Sequence, residues 1–280
     1  MIAKCNNRQV YIRFFIKAAL IAFANLIMTA NSYSACNKIV SLAPSITETL
    51  FYLDLGKNIV GITRYAKWPK ETKHIFKIGG YYDPNIEAVV KIHPDMVFLT
   101  YHQRQIIPEL NQLKIDYKLL KFDTLADMYD SVEMIGKICN KTDESDMVLE
   151  RARKKLGLAK KICLKNRKKT ALVLIGDLFP PTAAGNKTFF SDMLNLFSIE
   201  NAYKGTVSWP QIPLENIAKL DPDYLFIISD KKRLDSTAFS SLKIKAVKKR
   251  HIIYLIGQRY LVNSPRIAEV FLQTAKKICK

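Results

Sequence analysis

The chain lacks the short motifs that mark most catalytic sites. Its 280 residues contain no GxSxG, Walker A, GxGxxG or HExxH pattern, so the sequence has no nucleophile elbow, phosphate loop, dinucleotide fingerprint or zincin helix. Histidine is scarce at four residues, and only His102 follows a predicted strand beside an aromatic residue. One histidine does not make a zinc site, which takes three or four protein ligands. We therefore predict a protein that is not an enzyme, with no catalytic residue, no metal and no cofactor.

Long apolar runs are also scarce. The clearest one, 18–30, is 13 residues long and has Asn25 and Thr29 inside it, whereas a membrane-spanning helix needs roughly 18–20 apolar residues. A basic stretch precedes this run and small residues follow it, which is typical of a secretory signal peptide. We predict a cleaved signal peptide over 1–34 and a periplasmic location, against the alternative of an uncleaved membrane anchor.

Cysteine is used sparingly, and no two cysteines form a CxxC pair. Residues 33–36 resemble a bacterial lipobox, in which Cys36 would carry a lipid, but a bulky tyrosine stands where leucine is usual. A soluble exported form is therefore favoured over a lipid anchor. The cysteines that follow Cys36 are Cys139, Cys163 and Cys279, and they lack the spacing of a metal or redox site. We expect buried free thiols there, with disulfides as the alternative.

Acidic residues are outnumbered 25 to 44 by lysine and arginine, which gives a formal net charge of +19. The first 34 residues hold four of these basic groups and no acidic ones, so the remainder carries +15. Such a charge could attract nucleic acid, anionic lipid or an anionic ligand. The lysines are scattered, however, and no helix-turn-helix, zinc-finger or RNP motif is present. We interpret the charge as a solvated basic surface and expect no nucleic-acid partner.

One segment of the sequence occurs twice in similar form. Residues 86–99 recur as 214–227 at an offset of 128 residues, with the same Glu, Lys, Pro, Asp and Phe and with apolar positions kept apolar. A repeat this far apart indicates two similar lobes, because solenoid repeats have periods of roughly 20–50 residues. Two lobes form a cleft, and clefts between domains are common sites for small ligands.

Strand-like and helix-like segments alternate on both sides of a helical stretch, so we predict an α/β fold with two mostly parallel sheets. The predicted strands are 38–43, 59–63, 96–100, 117–122, 170–176 and 252–256, and the predicted helices include 45–54, 189–196 and 265–278. Ser45 and Glu48 match a capping box at the first helix. Apolar residues at helical spacing over 124–165 predict a connector of two helices, with Thr142 capping the second. The predicted domains are lobes over 38–122 and 167–280 with a connector over 123–166.

Aromatic residues are concentrated in the loops that follow the predicted strands, where ligands gather in open α/β sheets. These residues are Tyr65, Trp68, Tyr81, Tyr82, Tyr101, Phe179, Trp209 and Tyr260. Aromatic rings form a rigid apolar wall with a polar tip, which suits a large planar or macrocyclic ligand. The alternative for any single ring is packing onto the core beneath it. We predict that the set binds ligand.

Glu87 and Glu215 occupy the same position in the two copies of the repeat. An acidic residue in the first turn of a helix is stabilised by the helix dipole, by about 0.3–1 kcal/mol. A matched pair on two lobes also suits docking to a two-sided basic partner. The residues alone leave both interpretations open.

Several ordered motifs resemble the periplasmic cobalamin-binding proteins of ABC importers, which belong to a class that also carries ferric siderophores and haem. The resemblance covers about 38–280 and rests on 39–48, 60–65, 79–80 with 85–87, 91–95, Trp209-Pro210-Gln211 and Ser264-Pro265-Arg266-Ile267. It implies two α/β lobes joined by a long helix, with a corrinoid held in the cleft between aromatic loops. It also implies a permease dimer as partner, with Glu87 and Glu215 docking onto its arginines, and a monomeric binding protein.

Departures from the family pattern affect the choice of ligand. The loop 257–263 lacks the acidic and basic pair that a cobalamin binder uses to contact corrin amides, and offers Gln258, Arg259 and Tyr260 instead. Lys67 stands where many relatives have an acid. The leading hypothesis is a binding protein that delivers cobalamin or a related corrinoid to the permease. Its alternatives are a haem or ferric-siderophore carrier of the same class, with tyrosines as iron ligands, and an exported hydrolase.

Overall fold

The structure is a computed structural model, and it describes residues 36–164, 169–176, 180–229, 239 and 241–279. The predicted signal peptide (1–34) and Phe179 lie outside the described residues. Within the described ranges, none of the helices combines the length and the apolar character that crossing a bilayer requires.

The N-terminal half (38–122) is built on a sheet of four parallel strands, Ile39–Ser41 (β1), Ile59–Ile62 (β2), Met96–Thr100 (β3) and Tyr117–Leu120 (β4). Their order in the sheet is β2-β1-β3-β4. The helices of this half are Pro44–Tyr52 (α1), Ile86–Ile92 (α2) and Ile107–Gln112 (α3). Every residue of β1 and β3 is buried, as is usual for apolar strands of a parallel sheet covered on both faces.

The C-terminal half (167–280) is built on a five-stranded sheet of Lys169–Ile175 (β5), Thr182–Ala183 (β6), Ile199–Asn201 (β7), Tyr224–Ser229 (β8) and Ile252–Ile256 (β9). Strands β5, β8 and β9 are adjacent and parallel. Strand β7 runs parallel to the start of β5, and β6 pairs antiparallel with its end. The helices are Phe189–Leu196 (α6), Leu214–Leu220 (α7), Lys245–Lys248 (α8) and Ile267–Ile278 (α9). The predicted α/β fold with mostly parallel sheets is confirmed.

The sequence repeat corresponds to a structural repeat. Helices α2 and α7 are each seven residues long and lead into the central strands β3 and β8. Each helix ends on a residue in the left-handed conformation, His93 (φ 51°) or Asp221 (φ 41°). A proline follows each of them and disfavours the right-handed helical conformation at the residue before it. The shared proline therefore ends both helices at the same point.

The connector consists of two helices, Leu125–Ile138 (α4) and Thr142–Ile162 (α5). Thr124 and Asp127 form a capping box at the start of α4. The break comes at Asn140, which has a φ of 54°. Helix α5 begins after Lys141, so Thr142 is its first residue and not its cap. The longer helix α5 packs along α9.

The predicted capping box at the first helix is wrong. The N-cap of α1 is Ala43, which has no side-chain oxygen, and Pro44 occupies the first turn. Ser45 and Glu48 lie inside the helix and are buried. Glu48 faces the C-terminal half and pairs with Arg266, so its partner is tertiary and not local.

The expectation of buried free thiols is also wrong. Cys36 is bonded to Cys139 at the end of α4, and Cys163, after α5, is bonded to Cys279, after α9. Each disulfide attaches one half to the connector. Because a lipidated cysteine carries its lipid on sulfur, the Cys36–Cys139 bond is incompatible with a lipid anchor at Cys36. Disulfides are typical of exported proteins.

Candidate functional site

A cleft of about 630 Å³ lies at the carboxyl ends of the strands, with walls from both halves and the connector. Its size falls within the usual range of small-molecule sites, roughly 300–1,000 Å³. Its lining consists of Pro44, Ser45, Tyr65, Tyr81, Tyr82, Thr100, Tyr101, His102, Leu120, Lys121, Phe122, Asp123, Phe189, Trp209, Gln258, Leu261, Val262 and Asn263. Its position agrees with the rule that ligands bind outside the carboxyl ends of strands.

Tyrosines form the wall that belongs to the N-terminal half. The rings of Tyr81 and Tyr82 meet edge to face at 4.9 Å, and His102 lies 5.8 and 6.3 Å from them. Tyr82, Tyr101 and Tyr65 are 69%, 49% and 45% exposed. Such exposed large rings leave apolar surface available for a ligand.

Tyr81 is held in place by the end of β3. Its hydroxyl is 3.0 Å from Thr100 Oγ1, and its carbonyl accepts a hydrogen bond from Gln103. Thr100 Oγ1 already donates to Gln103 Oε1, so Tyr81 is the donor in the pair. Burial raises the pKa of the Tyr81 hydroxyl. A neutral phenol that donates a hydrogen bond to threonine is a poor iron ligand, which leaves Tyr82 and Tyr101 as the better placed tyrosines.

The opposite wall belongs to the C-terminal half. Trp209 packs edge-on against the buried Phe190 at 6.2 Å and is 37% exposed. Gln258 lines the cleft and donates a 2.5 Å hydrogen bond to the Tyr65 carbonyl across it. The two walls therefore touch at one edge of the cleft.

Residues 120–123, which lead from β4 into the connector, complete the lining and were not predicted as site residues. The Ser131 hydroxyl bonds both the N–H and the carbonyl of Lys121. Asp123 accepts a hydrogen bond from the backbone of Phe189. Within the described residues, no hydrogen bond or ion pair holds the charged ends of Lys121 and Asp123. The alternation of charged and apolar residues in this strip was the available sequence clue.

Three predicted ligand residues do not line the cleft. Trp68 stacks on Tyr52 at 5.6 Å and lies under the Arg266 guanidinium at 4.5 Å. Arg259 and Tyr260 directly follow the lining residue Gln258 in a short 3₁₀ helix but do not line the cleft, and the Arg259 guanidinium covers the Tyr260 ring at 4.8 Å. The exposed Lys67, which was named only as a departure from the family pattern, does not line the cleft either.

The repeated glutamates lie away from the cleft. Glu87 and Glu215 are exposed in the first turns of α2 and α7. In the described part of the chain, neither forms an ion pair. The same part contains no group of three or more His, Cys, Asp or Glu side chains arranged to hold a metal ion.

Comparison with known proteins decides the family. Residues 39–258 match the periplasmic binding protein family. The chain belongs to that family. Its members are substrate-binding proteins of transport systems, and a cleft lined by aromatic residues is compatible with that role.

Similar proteins include an uncharacterised ABC transporter substrate-binding lipoprotein, YvrC of Bacillus subtilis, which is 28% identical and covers 86% of this chain and 79% of its own. A vitamin B12-binding protein of Vibrio parahaemolyticus is 22% identical over 68% of this chain and 70% of its own.

Solved structures share the fold. The vitamin B12-binding protein BtuF of Vibrio cholerae superposes with a TM-score of 0.72 at 18% identity, over 86% of this chain and 98% of its own. The haem-binding protein RhuT of Roseiflexus sp. RS-1 superposes with a TM-score of 0.75 at 19% identity, over 86% and 97%.

Proposed function

We propose that this protein is the periplasmic substrate-binding component of an ABC importer and that it captures cobalamin or a related corrinoid. The observation that carries the proposal is the cleft wall of Tyr65, Tyr81, Tyr82, Tyr101 and Trp209. Rigid aromatic rings on both sides suit a large, flat macrocycle, because they bury much apolar area at a small cost in conformational entropy. Relatives named as vitamin B12-binding proteins support this cargo.

The charges of the cleft also support a corrinoid. The described lining contains one basic side chain, Lys121, and one acidic side chain, Asp123. The corrin periphery carries carboxamides, whose oxygen accepts from an ammonium and whose N–H donates to a carboxylate. Haem presents carboxylates, which favour a basic lining without a facing acid.

Haem is the second candidate, and His102 favours it. Its ring lies near Tyr82 in the cleft wall, and histidine and tyrosine are both axial ligands of haem iron. The structural similarity to a haem-binding protein is compatible with this alternative.

Titration separates the two candidates. We expect the purified protein, without residues 1–34, to bind cyanocobalamin with a saturable one-to-one calorimetric response. Haemin should give no tyrosine- or histidine-ligated absorption band. A haemin band combined with no response to cyanocobalamin would transfer the proposal to haem, and a response to neither ligand would reject both cargoes.

Delivery to the permease is assigned to Glu87 and Glu215. They are matched, exposed and without an ion-pair partner among the described residues, and each sits on an equivalent helix of one half. Two acids so placed complement basic groups on a two-fold symmetric membrane partner, where charge complementarity directs orientation.

A further inference from the structure

A segment of the C-terminal half crosses to the rest of the molecule at three places. We name residues 257–266 the bridging segment. Gln258 donates to the Tyr65 carbonyl at 2.5 Å. Asn263 Nδ2 donates to the carbonyls of Phe122 and Thr124 at 2.9 and 2.8 Å. The third crossing is made by Ser264 and Arg266.

The third crossing ends on one buried carboxylate. Ser264 Oγ donates to Glu48 Oε2, and Arg266 Nη2 donates to Glu48 Oε1, each at 2.5 Å. The side chains of Glu48 and Arg266 are only 2% and 15% exposed. Glu48 lies in α1, whose first residues Pro44 and Ser45 line the cleft. Both oxygens of one carboxylate are therefore committed to the other half of the molecule.

The bridging segment is itself part of the cleft. Gln258, Leu261, Val262 and Asn263 line it, and Ser264 and Arg266 follow directly. We propose that Glu48 is a positioning residue for ligand capture, which holds the cleft-lining bridging segment against the N-terminal half through Ser264 and Arg266.

The groups that surround Glu48 define how this contact responds to pH. Arg266 and Ser264 face it from the bridging segment, and Tyr52 lies one turn along its own helix. The negative charge of Glu269 on α9 contributes to raising the pKa of Tyr52, and Glu269 forms an ion pair with Lys155 of the connector. Burial raises the pKa of Glu48 from 4.5 to about 7, and the Arg266 charge and the two hydrogen bonds only partly oppose this.

The contact responds to pH because the pKa of Glu48 differs between its closed and open states. We call the contact of Glu48 with Ser264 and Arg266 the joint. If the joint opens, water reaches Glu48 and the pKa of its carboxyl returns toward 4.5. The closed joint then binds the proton more tightly than the open one, so closing is favoured as pH falls from about 7 toward 4.5 and is weakened as pH rises through that window. The ratio of closed to open joint should fall by about tenfold between pH 6 and pH 8.

Amide hydrogen exchange tests the proposal without any ligand, so its result does not depend on the cargo. Opening constants for 257–266, corrected for intrinsic exchange at each pH, should rise about tenfold from pH 6 to pH 8 in the wild type. The Glu48→Gln variant keeps an acceptor but cannot titrate, and its opening constants should stay within about twofold between the two values of pH. Glu48→Ala should raise opening of this segment at both, relative to the rest of the fold.

Two further measurements keep the test decisive if Glu48→Ala does not fold. Glu269→Gln removes a nearby carboxylate of α9 that does not contact the bridging segment, and it should keep the tenfold change. In a Trp209→Phe background, Trp68 is the sole tryptophan and lies 4.5 Å from the Arg266 guanidinium. Its emission should titrate near pH 7 and lose that transition with Glu48→Gln.

A pH response in Glu48→Gln equal to that of the wild type would overturn the proposal. Unchanged protection of 257–266 in a folded Glu48→Ala variant would also overturn it.

Discussion

The chain's two tryptophans differ in their position relative to the cleft. Trp209 lines it and rests on the buried Phe190, whereas Trp68 lies between Tyr52 and Arg266. Both occupy loops after strands, and ligand contact was predicted for both from the sequence. Loop position alone does not reveal which side of a loop a ring faces.

Truncation of each tryptophan should separate these roles. We expect Trp209→Ala to weaken cyanocobalamin binding by at least about tenfold, or roughly 1.4 kcal/mol, because an aromatic wall is lost. Trp68→Ala should lower the free energy of unfolding by about 1–3 kcal/mol and weaken binding less. Calorimetric titration and urea denaturation of the two variants measure both quantities. An equal loss of affinity in both would contradict the assignment.

Glu48 shows why some residue roles cannot be predicted from local sequence. Its spacing from Ser45 satisfies the capping-box pattern, yet its partner Arg266 is 218 residues away. Both residues do belong to motifs that carried the family resemblance. Their contact, however, depends on where the residues that precede the last helix meet the first helix, and no local pattern encodes that.

At the scale of elements, segments with clear boundaries were predicted most accurately. Strands β3 and β9 and helix α6 begin and end at the predicted residues, since turn residues or a change of periodicity border each. The connector helices were also predicted, from their apolar spacing. The disulfides were not predicted. A bond between Cys163 and Cys279 requires α5 and α9 to end side by side, and that arrangement depends on tertiary packing.

The Cys163–Cys279 disulfide joins the ends of α5 and α9, which are 116 residues apart in sequence. Replacing both cysteines by serine should lower the free energy of unfolding by roughly 2–5 kcal/mol, because the unfolded chain regains the freedom of a long loop. Urea denaturation under oxidising conditions measures the change, and the Cys36→Ser, Cys139→Ser variant provides a matched comparison.

Ligand affinity should change little in either double variant, since none of the four cysteines lines the cleft. An unchanged urea midpoint after loss of the Cys163–Cys279 pair would show that this disulfide does not restrict the unfolded chain.

At the scale of the whole molecule, the repeat predicted two similar lobes, and the structure contains two mostly parallel sheets. The aromatic cleft was predicted because strand ends can be located in sequence. Lys121 and Asp123 were missed because they become part of the lining only through contacts of their backbone with Ser131 and Phe189.

Reversal of both repeated acids tests docking. We expect Glu87→Arg with Glu215→Arg to abolish ligand uptake by cells while leaving the affinity of the purified protein nearly unchanged, because neither residue lines the cleft. Lys91→Glu with Lys219→Glu reverses charge in the last turns of the same two helices and provides the matched control. Uptake assays in cells and calorimetry on the purified variants make the comparison. Normal uptake by the glutamate variant would exclude the docking role.

The two disulfides give the polypeptide a particular covalent map. Residues 36–139 form one closed ring and 163–279 form another, each containing one of the sheets. The only covalent link between these rings in the described chain is 140–162, which is essentially α5. A single protease cut within either ring leaves one connected molecule until a reductant is added. A single cut within α5 instead leaves two pieces, each closed by its own disulfide and with no covalent bond between them. The covalent connection between the two rings therefore depends on one helix.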